Sequence, residues 1–342
     1  MKKVTAITGM VSVACILVGC NTSNEQTQNT ESVENNTEEQ TEGSGTDTQE
    51  DEGTEIEADE SSELDELSET EDKKEDAYEE IQESENYTIQ TDYVDATTEF
   101  ITTFSINRDG DLDGSREERL ERSLFESDPS EQDILSSFTN LSLEGDTLIV
   151  ELNTTEYTHL SLSSTMHGMF FQSFSAISDL YGVNEAVFLD PDGVKEVIVA
   201  DRTIDQTMNI EEERGLTRGY YTLYDTELEQ TLFLSGGQLD ENVTGADGEP
   251  LNFEETIEEM KTVNEHELSY STAIVEGIEI DDVSFENEVA SVHYTVDEDL
   301  VTESDQIVFA NAMQLTALDF HATELELVNE TERRIVNYPL IK

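Results

Sequence analysis

The sequence predicts an α+β fold: two small tandem domains of one repeated unit, set behind a disordered acidic tether. Three observations lead there. Periodic apolar spacing begins near residue 87 and is not sustained before it. From there, a run of tight turn, alternating strand, polar gap, helix and late strand occurs twice. In both copies the helix carries its apolar residues in one stripe, at spacings of three and four. The length of 342 residues accommodates two ordinary domains. With 82 Asp and Glu against 16 Lys and Arg, the formal net charge is −66. That balance excludes electrostatic nucleic-acid binding, because phosphates need a basic surface. It also argues against polybasic docking on anionic lipid. Two cysteines are too few for a disulfide scaffold or a Cys-rich zinc module.

At the start of the chain, Lys2 and Lys3 precede an apolar run from Val4 to Val18. The run falls short of the roughly 18 or more apolar residues of a bilayer-spanning helix. It ends in Leu17-Val18-Gly19-Cys20, which resembles the lipobox of bacterial lipoproteins. The resemblance implies a signal peptide over residues 1–19, cleavage before Cys20, and a lipid on the Cys20 thiol. The chain would then be held at the extracytoplasmic face of the cell membrane through that lipid. Cys15 would leave with the signal peptide, so no disulfide or free-thiol chemistry would remain.

Residues 20–86 read as the lipidated Cys followed by a linker. Asn21 to Asn86 holds 26 acidic residues and two lysines, Lys73 and Lys74, with apolar residues scattered. Such a segment cannot bury enough surface to offset its ordering entropy. As a flexible coil its ends would lie about 45 Å apart, and fully stretched it would reach about 200 Å.

The two units follow, over residues 87–210 and 216–342. Leu143 to Asn153 and Phe285 to Thr295 align as turn plus alternating strand, with Gly145-Asp146 and Asn287-Glu288 at equivalent turns. The first helix is expected from Ser163 to Tyr181, with Met166, Phe170, Phe174, Ile177 and Tyr181 on its stripe. The second is expected from Glu303 to Phe320, with Ile307, Ala310, Met313, Thr316, Ala317 and Phe320. Ser and Thr residues near each start can cap them. Strands Glu185–Asp190 and Thr323–Asn329 come next, then turns, then strands Glu196–Ala200 and Arg334–Tyr338. Upstream, Ala96–Ser105 reads as a strand and Ser115–Phe125 as a helix. Their counterparts are a strand or hairpin over Gly219–Leu234 and a helix over Phe253–Val263.

This arrangement resembles the GerMN family, the sporulation and spore germination domain. The resemblance rests on Gly145 to Leu152, Phe170 to Tyr181 and Ala186 to Gly193, and on Asn287 to Tyr294, Ala310 to Phe320 and Leu325 to Asn329. Asn287 stands where the family commonly has Gly. The resemblance implies small ring-building-motif-like modules. It also implies an envelope protein that is not an enzyme, with spore-assembly or other envelope proteins as partners and no catalytic residues or cofactor.

No motif for catalysis emerges independently. The five histidines, His159, His167, His266, His293 and His321, lack zinc-ligand spacing. There is no G-x-S-x-G, P-loop or dinucleotide fingerprint. One cluster, Asp109-Gly110-Asp111-Leu112-Asp113-Gly114, alternates carboxylates in the manner of a Ca²⁺ loop. The register is partial: the twelfth position from Asp109 is Leu120, and starting at Asn107 puts Leu112 where the loop needs Gly. Asp109, Asp111 and Asp113 are therefore either cation ligands or a solvated turn. The expected role is that of a non-catalytic binding or scaffold component of the envelope. The alternative is an extracellular protein that binds Ca²⁺ or another ligand.

The charge is not confined to the tether, since residues 87–342 carry 56 acidic residues against 12 basic ones. Self-repulsion of that size is relieved by salt, which suits the protein to a saline or alkaline medium. Between about 0.01 and 1 M NaCl the Debye length falls from roughly 30 to 3 Å, so the melting temperature should rise across that range. A flat or falling melting temperature by differential scanning fluorimetry would refute the adaptation.

Overall fold

The computed structural model describes residues 77–94, 100–108, 114–194, 196–205, 207–210, 216, 218–226, 229–239, 241–263 and 270–341. They belong to one compact unit spanning Glu71–Lys342. Its α+β architecture rests on three main sheets and a two-stranded ribbon.

Each half contains the expected module. In the first, β4 (Thr139–Glu144) and β5 (Thr147–Leu152) form a hairpin, α3 (Ser164–Leu180) crosses over, and β6 (Glu185–Leu189) lies parallel to β5. In the second, β12 (Ile278–Glu286), β13 (Val289–Val296), α5 (Glu303–Asp319) and β14 (Glu324–Asn329) repeat that course. Alternation drives the strands: Ala290, Val292, Tyr294 and Val296 of β13 are buried while the residues between them are half-buried. Ser163 caps α3 by accepting from Met166 N, and Thr302 with Asp305 closes a capping box at α5. The hydrogen bonds from Thr302 hold the Asp305 carboxyl below its ordinary range. The hairpin turns differ in kind. Gly145 has φ 65°, whereas Asn287 and Glu288 both lie in the left-handed region, at φ 52° and 66°. Two consecutive positive φ values match a type I′ turn, which accepts Asn first and favours Gly second.

The stripe expected on α3 is buried from Phe170 onward. That of α5 is not a stripe. Every residue from Ala312 to Asp319 is buried, while Ile307 at its head is 54% exposed. The reason is packing on more than one side, since α5 meets β14 of its own sheet, β10 (Tyr220–Asp225) and α3. A helix enclosed this way shows no polar face over its buried turns.

The strands closing each module depart from strict repetition. β15 (Arg334–Pro339) returns directly beside β14. In the first half, β7 (Val197–Val199) instead folds onto β8 (Arg202–Ile204), through Ala200 and Asp201 at φ 48° and 62°. β9 (Met208–Asn209) then takes the place beside β6. The longer connection lets the chain form a ribbon before rejoining the sheet.

The upstream segments interlace the halves. β2 (Tyr87–Val94) and β3 (Phe100–Asn107) pair antiparallel, and so do β10 and β11 (Gln230–Ser235). β11 then pairs with β3 at Phe233 and Phe104, giving one sheet of order β10-β11-β3-β2. The linker expectation also meets a correction. Glu79–Gln82, placed in the disordered tether, forms β1 and pairs in parallel with β15, across the chain's whole folded length. Four residues that repeat no pattern of their own gain a strand because the β15 edge supplies the partner. Among the described residues, helices α1 (Arg116–Glu126), α2 (Ile134–Phe138) and α4 (Phe253–Glu259) complete the set of longer elements. Only α2, nucleated by the Asp128 carboxylate accepting from Leu135 N and Ser130 N, had no signature in the sequence pattern. In the second half Phe253, Phe285 and Phe320 meet at centroid distances of 5.4–6.2 Å, with Arg218 4.2 Å above Phe320.

Glu288→Gly removes a side chain from a left-handed position and should stabilise the protein by about 0.5–1 kcal/mol. The shift of the urea midpoint at constant slope measures it. The carboxylate form of Asp305 is favoured in the folded state, so its contribution is present above its unfolded value and fades as pH falls through the lowered folded one. Thr302→Ala should cost about 1 kcal/mol at pH 7 and progressively less at acid pH.

Candidate functional site

Leu17, Val18, Gly19 and Cys20 lie outside the described residues, as do Asp109, Asp111 and Asp113. Gly114, next to the latter, is described. At φ 80° it lets Glu85 approach so closely that a Cβ would lie 2.8 Å from Glu85 Cγ. Among the described residues, no group of three or more His, Cys, Asp or Glu side chains is placed to hold a metal. The described histidines are engaged separately. His159 contacts Glu156 at 2.9 Å, His167 Nδ1 contacts the Ala200 carbonyl, His293 contacts Glu330 at 2.9 Å and His321 lies 3.6 Å from Asp179. The structure brings none of these together.

What it does bring together is set by α1. Three of the chain's few cations, Arg116, Arg119 and Arg122, recur every third residue along this helix and tie it to different elements. Arg116 donates to the Tyr181 and Gly182 carbonyls, both at 2.7 Å, closing the C-terminus of α3. Its Nη1 pairs with Asp146 at 3.1 Å, in the β4–β5 turn. Arg122 pairs with Glu126 at 2.7 Å and lies 5.8 Å from the Tyr87 ring centroid.

Arg119 is fully buried. Its Nε donates to the Asn86 carbonyl at 2.5 Å, and Nη2 donates to Asn86 Oδ1 and the Pro339 carbonyl at 3.2 and 3.3 Å. The Tyr181 ring lies 5.9 Å away. Asn86 Nδ2 in turn donates to Gln314 Oε1 of α5 at 2.6 Å. One guanidinium therefore joins α1 to the start of β2, the end of β15 and, through Asn86, α5. Burial pulls its pKa down, against the opposing influence of Tyr181 and the Glu85 carboxylate. Around it, the outward N–H of Thr88 meets Ser123 Oγ and Tyr181 Oη, both at 3.1 Å, and that of Gln90 meets Ser127 Oγ at 2.9 Å. Side-chain oxygens thus seal the β2 edge of the shared sheet. This node is structural.

A cleft of about 210 Å³ opens near its far side, where both halves contribute walls. Gln90, Thr102 and Phe104 come from β2 and β3, and Gln172 and Ala176 from α3. Ser235, Gly237 and Gln238 come from the end of β11 and the 3-10 turn after it. Gln238 pairs with the Thr102 backbone as a strand would, accepting from its N–H at 3.1 Å and donating to its carbonyl at 2.6 Å. Thr102 Oγ1 donates to Asp92 at 2.7 Å and accepts from Gln172 Nε2 at 3.2 Å. Burial holds the Asp92 carboxyl above its ordinary range. Gln90 is 2% exposed, and its Oε1 has no hydrogen-bond partner among the described residues. Among the described residues, no charged side chain lines this cleft.

Sequence reasoning missed both features. A Gln carries no periodic signal, and Arg119 sits in a helix with several other charged residues, from which its residue type does not set it apart. The one available clue was three arginines at regular spacing in a chain with so few.

Asn86→Ala keeps both backbone carbonyls on the buried guanidinium but removes its Oδ1 acceptor and orphans Gln314 Oε1, and should destabilise by about 3–5 kcal/mol. Arg119→Met removes the charge together with its desolvation penalty, orphans only carbonyl acceptors, and should cost less, about 2–3 kcal/mol. Denaturant melts of the two variants measure the order.

No family model matches the chain and no curated protein matches it. Among solved structures it is similar to the tandem GerMN domains of the sporulation protein GerM from Bacillus subtilis. That likeness has a TM-score of 0.36 at 11% identity and covers 74% of this chain and 96% of that one.

Proposed function

We propose that this protein is a lipid-anchored, non-catalytic binding or scaffold component on the extracytoplasmic face of a bacterial cell membrane. It serves envelope assembly during spore formation or germination. The anchor is read from Leu17-Val18-Gly19-Cys20 behind Lys2 and Lys3. The sporulation setting is read from the resemblance of both repeats to GerMN modules. The observation that carries a binding role is the cleft between the halves. Its polar lining consists of carboxamides and hydroxyls, groups that recognise a ligand and do not exchange protons near neutral pH. Among the described residues no helix is long and apolar enough to cross a membrane, so attachment in this reading falls to Cys20. A diacylglyceryl group there brings two acyl chains, which stable anchoring requires.

Cys20→Ser should move the protein from the membrane to the soluble fraction and abolish incorporation of labelled palmitate. Unchanged fractionation with unchanged labelling would overturn the anchor. Crosslinking on intact sporulating cells tests the role itself: vegetative-only expression with no crosslinked protein neighbour would sink it.

A further inference from the structure

We propose that the cleft between α3, β3 and the turn after β11 binds an uncharged, hydroxyl-rich ligand the size of one sugar ring. Its chemistry is unusual for this chain. The net charge is −66, yet the lining offers three carboxamides, two hydroxyls, a phenyl ring and small or aliphatic groups. Among the described residues of the lining, an anion meets no cation and a cation meets no carboxylate. A carboxamide carries both donors and an acceptor, matching hydroxyl groups, which are also both; Gln238 commits its pair to the Thr102 backbone, which leaves Gln90 and Gln172 to meet a ligand. Phe104 adds an apolar surface of the kind that small-molecule sites pair with a few placed polar groups.

Gln90 supplies the independent observation. A buried carbonyl oxygen without a partner is unfavourable unless something donates to it, and Oε1 lacks that donor among the described residues. Its Nε2 is turned to Asp92 at 3.4 Å. The surrounding polar atoms are fixed in place: Thr102 is held by Asp92, Gln172 and Gln238, so the walls are set before any ligand arrives. The volume of about 210 Å³ lies below that of drug-sized pockets, roughly 300–1,000 Å³, and fits a single ring. The inference goes beyond the anchoring role and does not depend on it, since it concerns the folded unit alone.

The test uses the full-length chain, titrated with glucose, N-acetylglucosamine, its short oligomer and glucuronate, followed by saturation-transfer NMR and calorimetry. The neutral sugars should saturate with Kd about 1 mM, and glucuronate should bind at least about tenfold more weakly. An oligomer binding more tightly than the monomer assigns the site to a glycan end, and equal affinity assigns it to the free sugar; both support the proposal. Gln90→Met removes the orphaned acceptor at similar volume. It should keep or raise the melting temperature and weaken binding at least about tenfold. Gln172→Ala, at an exposed helical position, should weaken binding without unfolding the chain. The proposal is overturned if no neutral sugar saturates up to about 50 mM, which leaves the cleft to water alone. It is equally overturned if glucuronate matches glucose, or if folded Gln172→Ala and Gln90→Met bind as the parent does.

Discussion

The packing of this molecule depends on one buried guanidinium. Arg119 has dozens of carboxylates in the chain to pair with, yet it is held by carbonyl oxygens of Asn86 and Pro339 and lies beside the Tyr181 ring. A buried charge is tolerated only where its hydrogen bonds are supplied. The backbone segments supplying them stand at opposite ends of the folded chain. The entry into β2 and the exit from β15 therefore have to meet α1 to supply acceptors for Nε and Nη2 of Arg119, while Nη1 has no partner among the described residues, and Asn86 extends the same constraint to Gln314.

Around that node the two halves exchange strands instead of standing side by side. β1 lies against β15, and the hairpin of β10 and β11 lies against that of β2 and β3. Edges that would otherwise be open are closed by hydroxyl groups at β2 and by the Ser271 backbone at β10. The cleft follows from this exchange. Its floor comes from one half and part of its rim from the other, so neither half contains it alone.

Charge and fold are kept apart in space. Among the described residues, Arg119 and Asp319 are the only charged side chains that are buried. Acidic residues occupy the outward positions of strands and helices, where water and salt screen them. The interior uses neutral polar groups: Asn86, Gln90, Gln314 and a set of Ser and Thr residues. A core built this way keeps the same packing whether the surface repulsion is strong or screened.

The residues alone determined the two repeated modules, because alternation in β5 and β13 and the three-and-four spacing in α3 are local consequences of which side chains prefer water. The caps at Ser163 and Thr302 and the hairpin turns were legible for the same reason, being set by residues within a few positions of one another. Tertiary structure decided the rest. β1 is a strand only because β15 offers an edge far along the chain. α5 is enclosed only because α3 and β10 close on it, which erases the single stripe its sequence suggested. Arg119 looks in sequence like Arg116 and Arg122, which both reach solvent, and Gln90, Gln172 and Gln238 look like any polar residue. Their meaning depends on partners many tens of residues away, and hydrogen bonds between such distant groups leave no periodic trace in the chain.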